Sequence, residues 1–328
     1  MTSLSDQNAF LRANNWKPDK IEKLKGDASG RKYFRLYQGE KTVILMNAGV
    51  EKHKIDSFIT MGNYLRSLNL SAPEVFALDQ TNGLLLLEDF GNKSLFSLAT
   101  LRPNSNYTLK TYSKIIDTLC VIQSGPKLKD ARVYDELLLI KDATEYFYKW
   151  YKTTDHSLKD TEEALKKFSA ALIPIMKIAW NMNSTLSLRD FHAGNIMLLP
   201  NRKGLLKIGL LDFQDALKAP PAYDVMSLLC DARLDLNAEL VNKMKRQYLK
   251  SQDSIDPEKF HAAYAALGVQ RCFRIIGVFS NLAFENGQPH YIKYLPRLWE
   301  QVFKHVQHPQ LITMRNWLLE CGLQKQLL

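Results

Sequence analysis

Residues 186–215 read LSLRDFHAGNIMLLPNRKGLLKIGLLDFQD, and this stretch decides the fold that the sequence predicts. A polar cluster with Asp190 and Asn195 precedes a short apolar run, and a turn with Pro and Gly leads to a second apolar run that ends at Asp212. Two apolar runs joined by a turn predict a β-hairpin. Closing that hairpin brings the three polar residues to the same end.

The three polar residues have the chemistry of a phosphoryl-transfer site. Mg²⁺ is usually held by one or two protein carboxylates together with substrate phosphates. The protein-kinase template places a base Asp first, an Asn on metal five residues later and a metal-binding Asp beyond it. The order predicts Asp190 as the catalytic base and Asn195 and Asp212 as Mg²⁺ ligands. Turn chemistry alone also places Asp and Asn beside strands, but the spacing of all three favours a kinase.

Two positions depart from that template. Leu188 occupies the place of the usual His two residues before the catalytic Asp, and Gln214 replaces the final Gly of the metal motif. The His usually packs and hydrogen-bonds, so its loss need not abolish the chemistry. The Gln points to one branch of the kinase-like superfamily.

Bulk properties exclude several classes of protein. The chain has 328 residues, is 46% hydrophobic and 24% charged, and carries a formal charge of +10, which favours anionic ligands such as nucleotides. Its Lys and Arg are scattered and no nucleic-acid motif is present, so we expect no nucleic-acid partner. The sequence has no membrane-length apolar run and no secretory signal, and its four cysteines have no metal-ligand spacing. We therefore expect a cytoplasmic protein without a membrane or an obligate protein partner.

A strand, a loop of small residues and a second strand occupy residues 21–37. In a kinase-like fold this loop covers the nucleotide phosphates, because small residues let backbone N–H groups approach an anion closely. An ordinary hairpin turn would have a similar sequence, but the position well before the catalytic hairpin favours the phosphate loop. The predicted nucleotide-binding residues of this loop are Gly26, Asp27, Ala28, Ser29, Gly30 and Arg31.

The third predicted strand, at 42–46, lacks the Lys that pairs with the α- and β-phosphates in most kinases. We hypothesise that Arg31 supplies this charge. The alternative is that Arg31, Lys32 and Arg35 are all solvated hairpin residues. The apolar run at 84–87 suits a hinge strand, and Glu88 and Phe90 are expected to hold the adenine edge with backbone groups.

The rest of the chain is mostly helical by its apolar spacing. Asp224 is expected to anchor its segment against the catalytic loop, and Asp256 with Pro257 begins a helix that continues to about residue 285. The predicted fold class is α+β, a protein-kinase-like two-lobed fold. Its small β-rich N-lobe spans 1–91 and its larger, mostly helical C-lobe spans 92–328.

The chain resembles the aminoglycoside/choline phosphotransferase branch of the kinase-like superfamily, and most of all the bacterial anomeric N-acetylmuramate/N-acetylglucosamine kinases of cell-wall sugar recycling. The matching stretches occur in the same order as in the family and span nearly the whole chain. This subgroup also lacks the Lys in the third strand. The matching stretches are GDASGRKYFRL (26–36), VILMNAGVEK (43–52), LLLLEDFG (84–91), LRDFHAGNIML (188–198), LLDFQDALKAPPAYDVMSLLCDAR (210–233) and the segment 267–298.

The resemblance implies ATP-dependent phosphorylation of the anomeric hydroxyl of an amino sugar, with a product that feeds peptidoglycan precursor synthesis. Asp190 would be the base, and Asn195 and Asp212 would bind Mg²⁺. An Arg of the helical lobe, Arg233 or Arg271, would hold the lactyl carboxylate of N-acetylmuramate in a bidentate pair. Asp215 is a further candidate for substrate binding.

Three alternatives stay open. The first is a kinase of an aminoglycoside or a choline-like amine, although such cations call for an acidic substrate lobe and residues 215–300 mix both signs. The second is a nucleotide-binding pseudokinase, which Leu188 and the missing strand Lys favour and the retained Asp190 opposes. The third is a metallohydrolase that uses Asp190, His192, Asp212 and Asp215, for which the isolated His192 is weak support.

Overall fold

The structure is a computed structural model that describes residues 4–24, 30–128, 131–154 and 161–323. Its α-helices are α1 (Leu4–Ala13), α2 (Ile55–Ser67), α3 (Leu95–Leu101), α4 (Asn106–Ser124), α5 (Glu136–Thr154), α6 (Thr161–Ala179), α7 (Ala222–Leu229), α8 (Ala238–Lys250), α9 (Pro257–Ser280), α10 (Leu295–His305) and α11 (Ile312–Glu320). Its strands are β1 (Lys20–Lys23), β2 (Lys32–Gln38), β3 (Lys41–Asn47), β4 (Val75–Asp79), β5 (Leu84–Leu87), β6 (Thr185–Ser187), β7 (Ile196–Leu198), β8 (Ile208–Leu210) and β9 (Leu217–Ala219).

The chain divides into two compact units. Unit 1 consists of Met1–Leu98 and Ala193–Ala216, and unit 2 consists of Ala99–His192 and Leu217–Leu328. The predicted boundary between an N-lobe and a C-lobe after residue 91 stays a prediction. The β7–β8 hairpin lies in unit 1, together with the first strands of the chain.

Unit 1 is built on a five-stranded antiparallel sheet with the strand order β1-β2-β3-β5-β4. The β2–β3 turn pairs Gln38 with Lys41, and Gly39 supplies the positive φ that this tight turn needs. All four residues of β5 are buried, and its bounds agree with the predicted run at 84–87. The apolar face packs against α1 in a core formed by Phe10, Leu11, Leu36, Val43, Leu45, Leu84 and Leu86.

The β7–β8 hairpin forms as predicted, with Ile196 opposite Leu210. A backbone hydrogen bond joins it to the rest of unit 1, because the Leu210 N–H donates to the Ser71 carbonyl at 2.8 Å. Its second strand is shorter than the predicted apolar run, because Gly204–Lys207 form a 3₁₀ turn. The hairpin register brings the residues just before β7 and just after β8 to one end.

Helix α9 is the core of unit 2. Asp256 caps it by accepting the N–H groups of Glu258 and Lys259 at 2.8 and 3.1 Å, and Pro257 is its first residue, as predicted. A Cβ at Gly277 would lie 1.9 Å from the Tyr146 carbonyl oxygen, so only glycine permits this close packing of α9 on α5.

The segment Pro257–Glu285, which comprises α9 and the π-helical turn after it, is long and apolar enough to cross a membrane by length and composition alone. However, 83% of its most apolar window is buried inside the protein. Its apolar faces pack against the other helices of unit 2, which is the behaviour of a core helix.

Candidate active site

Asn195 and Asp212 lie together at one end of the β7–β8 hairpin, as the sequence predicted. The Asn195 Nδ2 is 3.4 Å from the Asp212 Oδ2. Asp212 has a φ of +57°, a left-handed conformation that is uncommon for residues other than glycine and clusters at functional sites. The next residue, Phe213, is fully buried and stacks on Phe58 with ring centroids 5.1 Å apart. This packing holds the Asp212 backbone in its strained conformation.

Gln214, which replaces the Gly of the kinase template, makes hydrogen bonds that a glycine could not make. Its Nε2 donates to the Asp212 Oδ1 and to the Asp215 Oδ2, at 3.0 Å in both cases. A glycine at this position has no side chain to make these bonds. The buried Gln214 therefore fixes the orientation of two carboxylates at the predicted metal site.

Arg31 contacts the predicted metal ligand directly. Its Nη2 donates to the Asp212 Oδ1 at 2.7 Å, and its Nε lies 3.4 Å from the Glu51 Oε2. The Glu51 Oε1 accepts the Gly30 N–H at 2.9 Å, so this carboxylate also holds the end of the predicted phosphate loop. The hypothesis that Arg31 provides the missing cation agrees with this position. Gly26, Asp27, Ala28 and Ser29 lie outside the described residues.

Arg35 has a different role from Arg31. Its guanidinium forms a bidentate pair with Asp89, with distances of 2.7 and 2.9 Å, and also donates to the Asn92 Oδ1 at 2.6 Å. These bonds fix the segment after β5. Arg35 is therefore a structural residue, and Arg31 is the better of the two candidates for a charge that faces nucleotide.

Lys54 is a second cation that sequence reasoning missed. Its Nζ lies 3.1 Å from the Asp215 Oδ2 and 3.5 Å from the Glu51 Oε2. The signal was present, because Lys54 follows Glu51 at the i,i+3 spacing that places helical side chains side by side. Asp215, predicted as a substrate residue, is held here by Lys54 and Gln214.

The predicted hinge residues have distinct environments. The Glu88 side chain forms an ion pair with Arg202, and its N–H donates to the Glu74 carbonyl at 2.9 Å. The Phe90 ring fills the space above Gly209, where a Cβ would come within 2.7 Å of it. The Arg202 guanidinium lies 5.2 Å from the Phe90 ring centroid. These contacts fix the backbone of the segment that was predicted to hold the adenine edge.

In unit 2, Asp224 anchors the segment before Asp190, as the sequence analysis predicted. Its carboxylate accepts the Ser187 hydroxyl and the Leu188 N–H, both at 2.7 Å. Burial raises the pKa of Asp224 to about 6, although these two hydrogen bonds act in the opposite direction. Leu188, which replaces the usual His, is 2% exposed and keeps the packing role. Arg189 has a φ of +67°, so the chain turns sharply just before Asp190.

Arginines surround the predicted base. Burial would raise the pKa of Asp190, but the charges of Arg274 and Arg271, followed by His192 and Arg189, lower it below the ordinary value. The Asp190 side chain is therefore held as a carboxylate, the form that accepts a proton. The sequence placed Arg274 in the same predicted helix as Arg271 but gave it no role, although the two are three residues apart and thus on the same face of α9.

Asp190 and His192 line a cavity of about 130 Å³ in unit 2. Its charged walls also contain Asp231, Arg233, Arg271 and Arg274. Both arginines that were predicted to bind substrate are thus beside the predicted base. A typical small-molecule site has roughly 300–1,000 Å³, so this cavity has room for one end of a small molecule and not for all of it.

Among the described residues, no group of three or more His, Cys, Asp or Glu side chains forms a metal site. Asn195 and Asp212 offer one amide and one carboxylate. This small donor set fits Mg²⁺, which completes its coordination with water and substrate phosphates, and does not fit Zn²⁺, which favours several N or S ligands. The metallohydrolase alternative is accordingly weakened.

The model of the phosphotransferase enzyme family matches residues 20–262. The chain is 32% identical to an N-acetylmuramate/N-acetylglucosamine kinase of Caulobacter vibrioides, with 94% of each chain covered, and 28% identical to the Pseudomonas aeruginosa protein of the same name, with 92% and 88% covered. In structure it is similar to a gentamicin complex of the aminoglycoside phosphotransferase APH(2")-IIa (TM-score 0.65, 15% identity) and to the choline kinase LicA from Streptococcus pneumoniae (TM-score 0.64, 13% identity). Both structures cover 92% of this chain, which covers 99% of each. These likenesses confirm the predicted kinase-like α+β fold.

Proposed function

This chain belongs to the phosphotransferase enzyme family, and from that membership we propose that it is an ATP-dependent kinase of the anomeric hydroxyl of N-acetylmuramate and N-acetylglucosamine. The product would be a sugar 1-phosphate that enters cell-wall precursor synthesis in the cytoplasm. The names of its relatives from Caulobacter vibrioides and Pseudomonas aeruginosa support this substrate class.

The charge of the cavity beside Asp190 carries the proposal. Three guanidinium groups, those of Arg233, Arg271 and Arg274, line it together with two carboxylates. A positive excess suits a substrate with a carboxylate, such as the lactyl group of N-acetylmuramate, and opposes cationic aminoglycosides and choline. We assign the carboxylate to Arg233 or Arg271, because the charge of Arg274 has the largest of the charge effects on the pKa of Asp190.

Each residue has a stated role in this reaction. Asp190 accepts the proton of the attacking anomeric hydroxyl, which is more acidic than that of an ordinary alcohol. Asn195 and Asp212 would hold Mg²⁺, which neutralises charge on the phosphates when it is bound. Gly30 and Arg31 end the loop that would cover the phosphates. Phosphoryl transfer depends on positioning and charge neutralisation, so this set of residues suffices.

The first test is ATP consumption with Mg²⁺ on N-acetylmuramate, N-acetylglucosamine, glucose, choline and kanamycin. Asp190→Asn is assayed beside the unchanged protein. Turnover on the two acetylated amino sugars alone, lost in the variant, supports the proposal. Turnover on kanamycin or choline would overturn the substrate class. Nucleotide binding without any turnover would instead indicate a pseudokinase.

Arg233→Ala and Arg271→Ala test the carboxylate assignment. We expect one of them to raise KM for N-acetylmuramate about tenfold and to leave KM for N-acetylglucosamine within twofold, because only the former has a lactyl group. Arg246→Ala, an exposed change on α8, is the matched control. An unchanged preference between the two sugars in both variants would contradict the assignment.

A further inference from the structure

Unit 2 contains a second, larger cavity of about 520 Å³. It lies among helices α8, α9 and α10 and the segment that follows α7. Its volume is within the roughly 300–1,000 Å³ of small-molecule sites. None of the residues assigned above to base, metal or nucleotide lines this cavity.

The walls of this cavity are rich in basic side chains. The cavity is lined by two lysines, one arginine and three histidines, and by only two carboxylates, those of Asp235 and Glu300. The basic residues are Lys245, Arg297, Lys304, His261, His305 and His308. Arg297 forms an ion pair with Asp235. Within the described part of the chain, no carboxylate pairs with Lys245, whose ammonium lies 3.7 Å from the Tyr264 ring centroid.

Burial and the neighbouring lysines shift the pKa values of the buried groups in this cavity. Burial lowers the pKa of Lys245, while Cys230 raises it and the nearby Lys304 lowers it. Burial, followed by Lys245 and Lys304, lowers the pKa of His305 to about 3. Burial and then Lys245 and His308 also lower the pKa of His261. An anion bound in the cavity would offset the charges of Lys245 and Lys304, which add to the effect of burial on these pKa values.

Cys230 forms part of the wall of this cavity and also of the small cavity that contains Asp190. The Cys230 Sγ lies 3.1 Å from the Tyr264 Oη and 3.4 Å from the His305 Nε2, on the side of the large basic cavity. An anion in the larger cavity would therefore lie one side chain away from the predicted acceptor site.

We propose that the large basic cavity binds the phosphate of a phosphorylated small molecule at a site separate from the nucleotide. Lys245 and Lys304 would provide the charge, since each is a lysine without a carboxylate partner among the described residues. The cavity is large enough for a sugar phosphate or a nucleotide sugar. The proposal stands on unit 2 alone and does not require the sugar-kinase assignment.

Isothermal titration of the full chain with inorganic pyrophosphate, without Mg²⁺, tests the proposal. We expect about tenfold weaker binding in Lys245→Met, which keeps the apolar stem over Tyr264, and a loss of several-fold in Lys304→Ala, an exposed change that leaves the core intact. Lys243→Met, on the exposed side of α8, is the matched control and should bind as the unchanged protein does.

A fourth variant separates this cavity from the nucleotide-binding residues. Arg31→Ala weakens any binding of pyrophosphate to the nucleotide-binding residues of unit 1, and adding Lys245→Met to it should still weaken the remaining binding about tenfold. Loss of binding in Arg31→Ala with retention in Lys245→Met and Lys304→Ala would overturn the proposal. Equal binding by all the variants, or no binding by the unchanged protein at millimolar pyrophosphate, would overturn it too.

Discussion

Replacement of Asp224 tests how the segment that carries the catalytic base is held. Asp224→Ala removes the acceptor of the Ser187 hydroxyl and the Leu188 N–H. A buried donor left without a partner costs about 1–3 kcal/mol. Asp224→Asn keeps one acceptor oxygen for the Leu188 N–H and removes the charge. We therefore expect Asp224→Asn to exceed Asp224→Ala by about 2 kcal/mol in free energy of unfolding.

The charge of Asp224 has a separate and opposite effect. Burial raises its pKa to about 6 in the native state, against about 3.9 in the unfolded chain. A raised pKa means that the contribution of this group to stability is complete below about pH 4 and is lost as the pH rises through 6. A shift of about two pKa units corresponds to roughly 3 kcal/mol. The unchanged protein should therefore lose stability relative to Asp224→Asn between pH 4 and pH 7.

Urea unfolding followed by tryptophan fluorescence at pH 4.5, 6 and 7.5 measures both effects. Turnover of the amino sugar at pH 7.5 is measured in parallel, and we expect Asp224→Ala to lose about tenfold in kcat because the segment before Asp190 is released. Equal urea midpoints for the Ala and Asn variants would refute the hydrogen-bond argument. A difference between the unchanged protein and Asp224→Asn that does not vary with pH would refute the charge argument.

Three further changes test the other contacts. Gln214→Gly restores the usual kinase residue but removes the two hydrogen bonds from the amide to Asp212 and Asp215. A Mg²⁺ titration of nucleotide binding should therefore show about tenfold weaker apparent affinity for Mg²⁺. An unchanged Mg²⁺ affinity would contradict the role of the amide. Arg31→Gln should raise KM for ATP about tenfold with little effect on KM for the sugar, whereas equal rises in both would indicate general misfolding. Burial, Lys245 and Lys304 lower the pKa of His305 to about 3. The free energy of unfolding should therefore fall as the pH drops below about 6.5, by at most roughly 1.4 kcal/mol per pH unit, and His305→Gln should reduce this slope. An identical slope in the variant would show that His305 takes up no proton on unfolding.

Local signals determined which parts of the fold could be predicted. The apolar run Leu84–Leu87 and the Asp256–Pro257 helix start carry their own signals, and both lie where they were predicted. Strand β4 was missed, because Val75–Asp79 alternate between half-buried and exposed positions and lack the apolar content of β5. The predicted second strand of the catalytic hairpin was too long because periodicity alone does not reveal the 3₁₀ turn at Gly204–Lys207.

Sequence separation determined which parts of the site could be predicted. Asn195 and Asp212 are joined by one hairpin, so the pairing of its strands sufficed to bring them together. Arg31 and Asp212 are 181 residues apart, and no local pattern reports their contact. Arg31 was named only because the third strand lacks its usual Lys. The sequence alone could not distinguish Arg31 from its basic neighbours, because the difference between them lies in their tertiary contacts.

The buried charges of unit 1 are better explained by a ligand than by stability. Arg31 and Glu51 have side chains only 7% and 15% exposed, and the Asp215 side chain beside Lys54 is also 15% exposed. Removing such charges from water costs several kcal/mol per ion, and well-packed apolar residues at these positions are often at least as stable as the ion pairs. A protein that kept only the fold would have little to gain from this network. Retention of the charges beside Asp212, together with an amide that orients both aspartates, is what binding of a metal–nucleotide complex requires, and it argues against a protein that keeps only the fold.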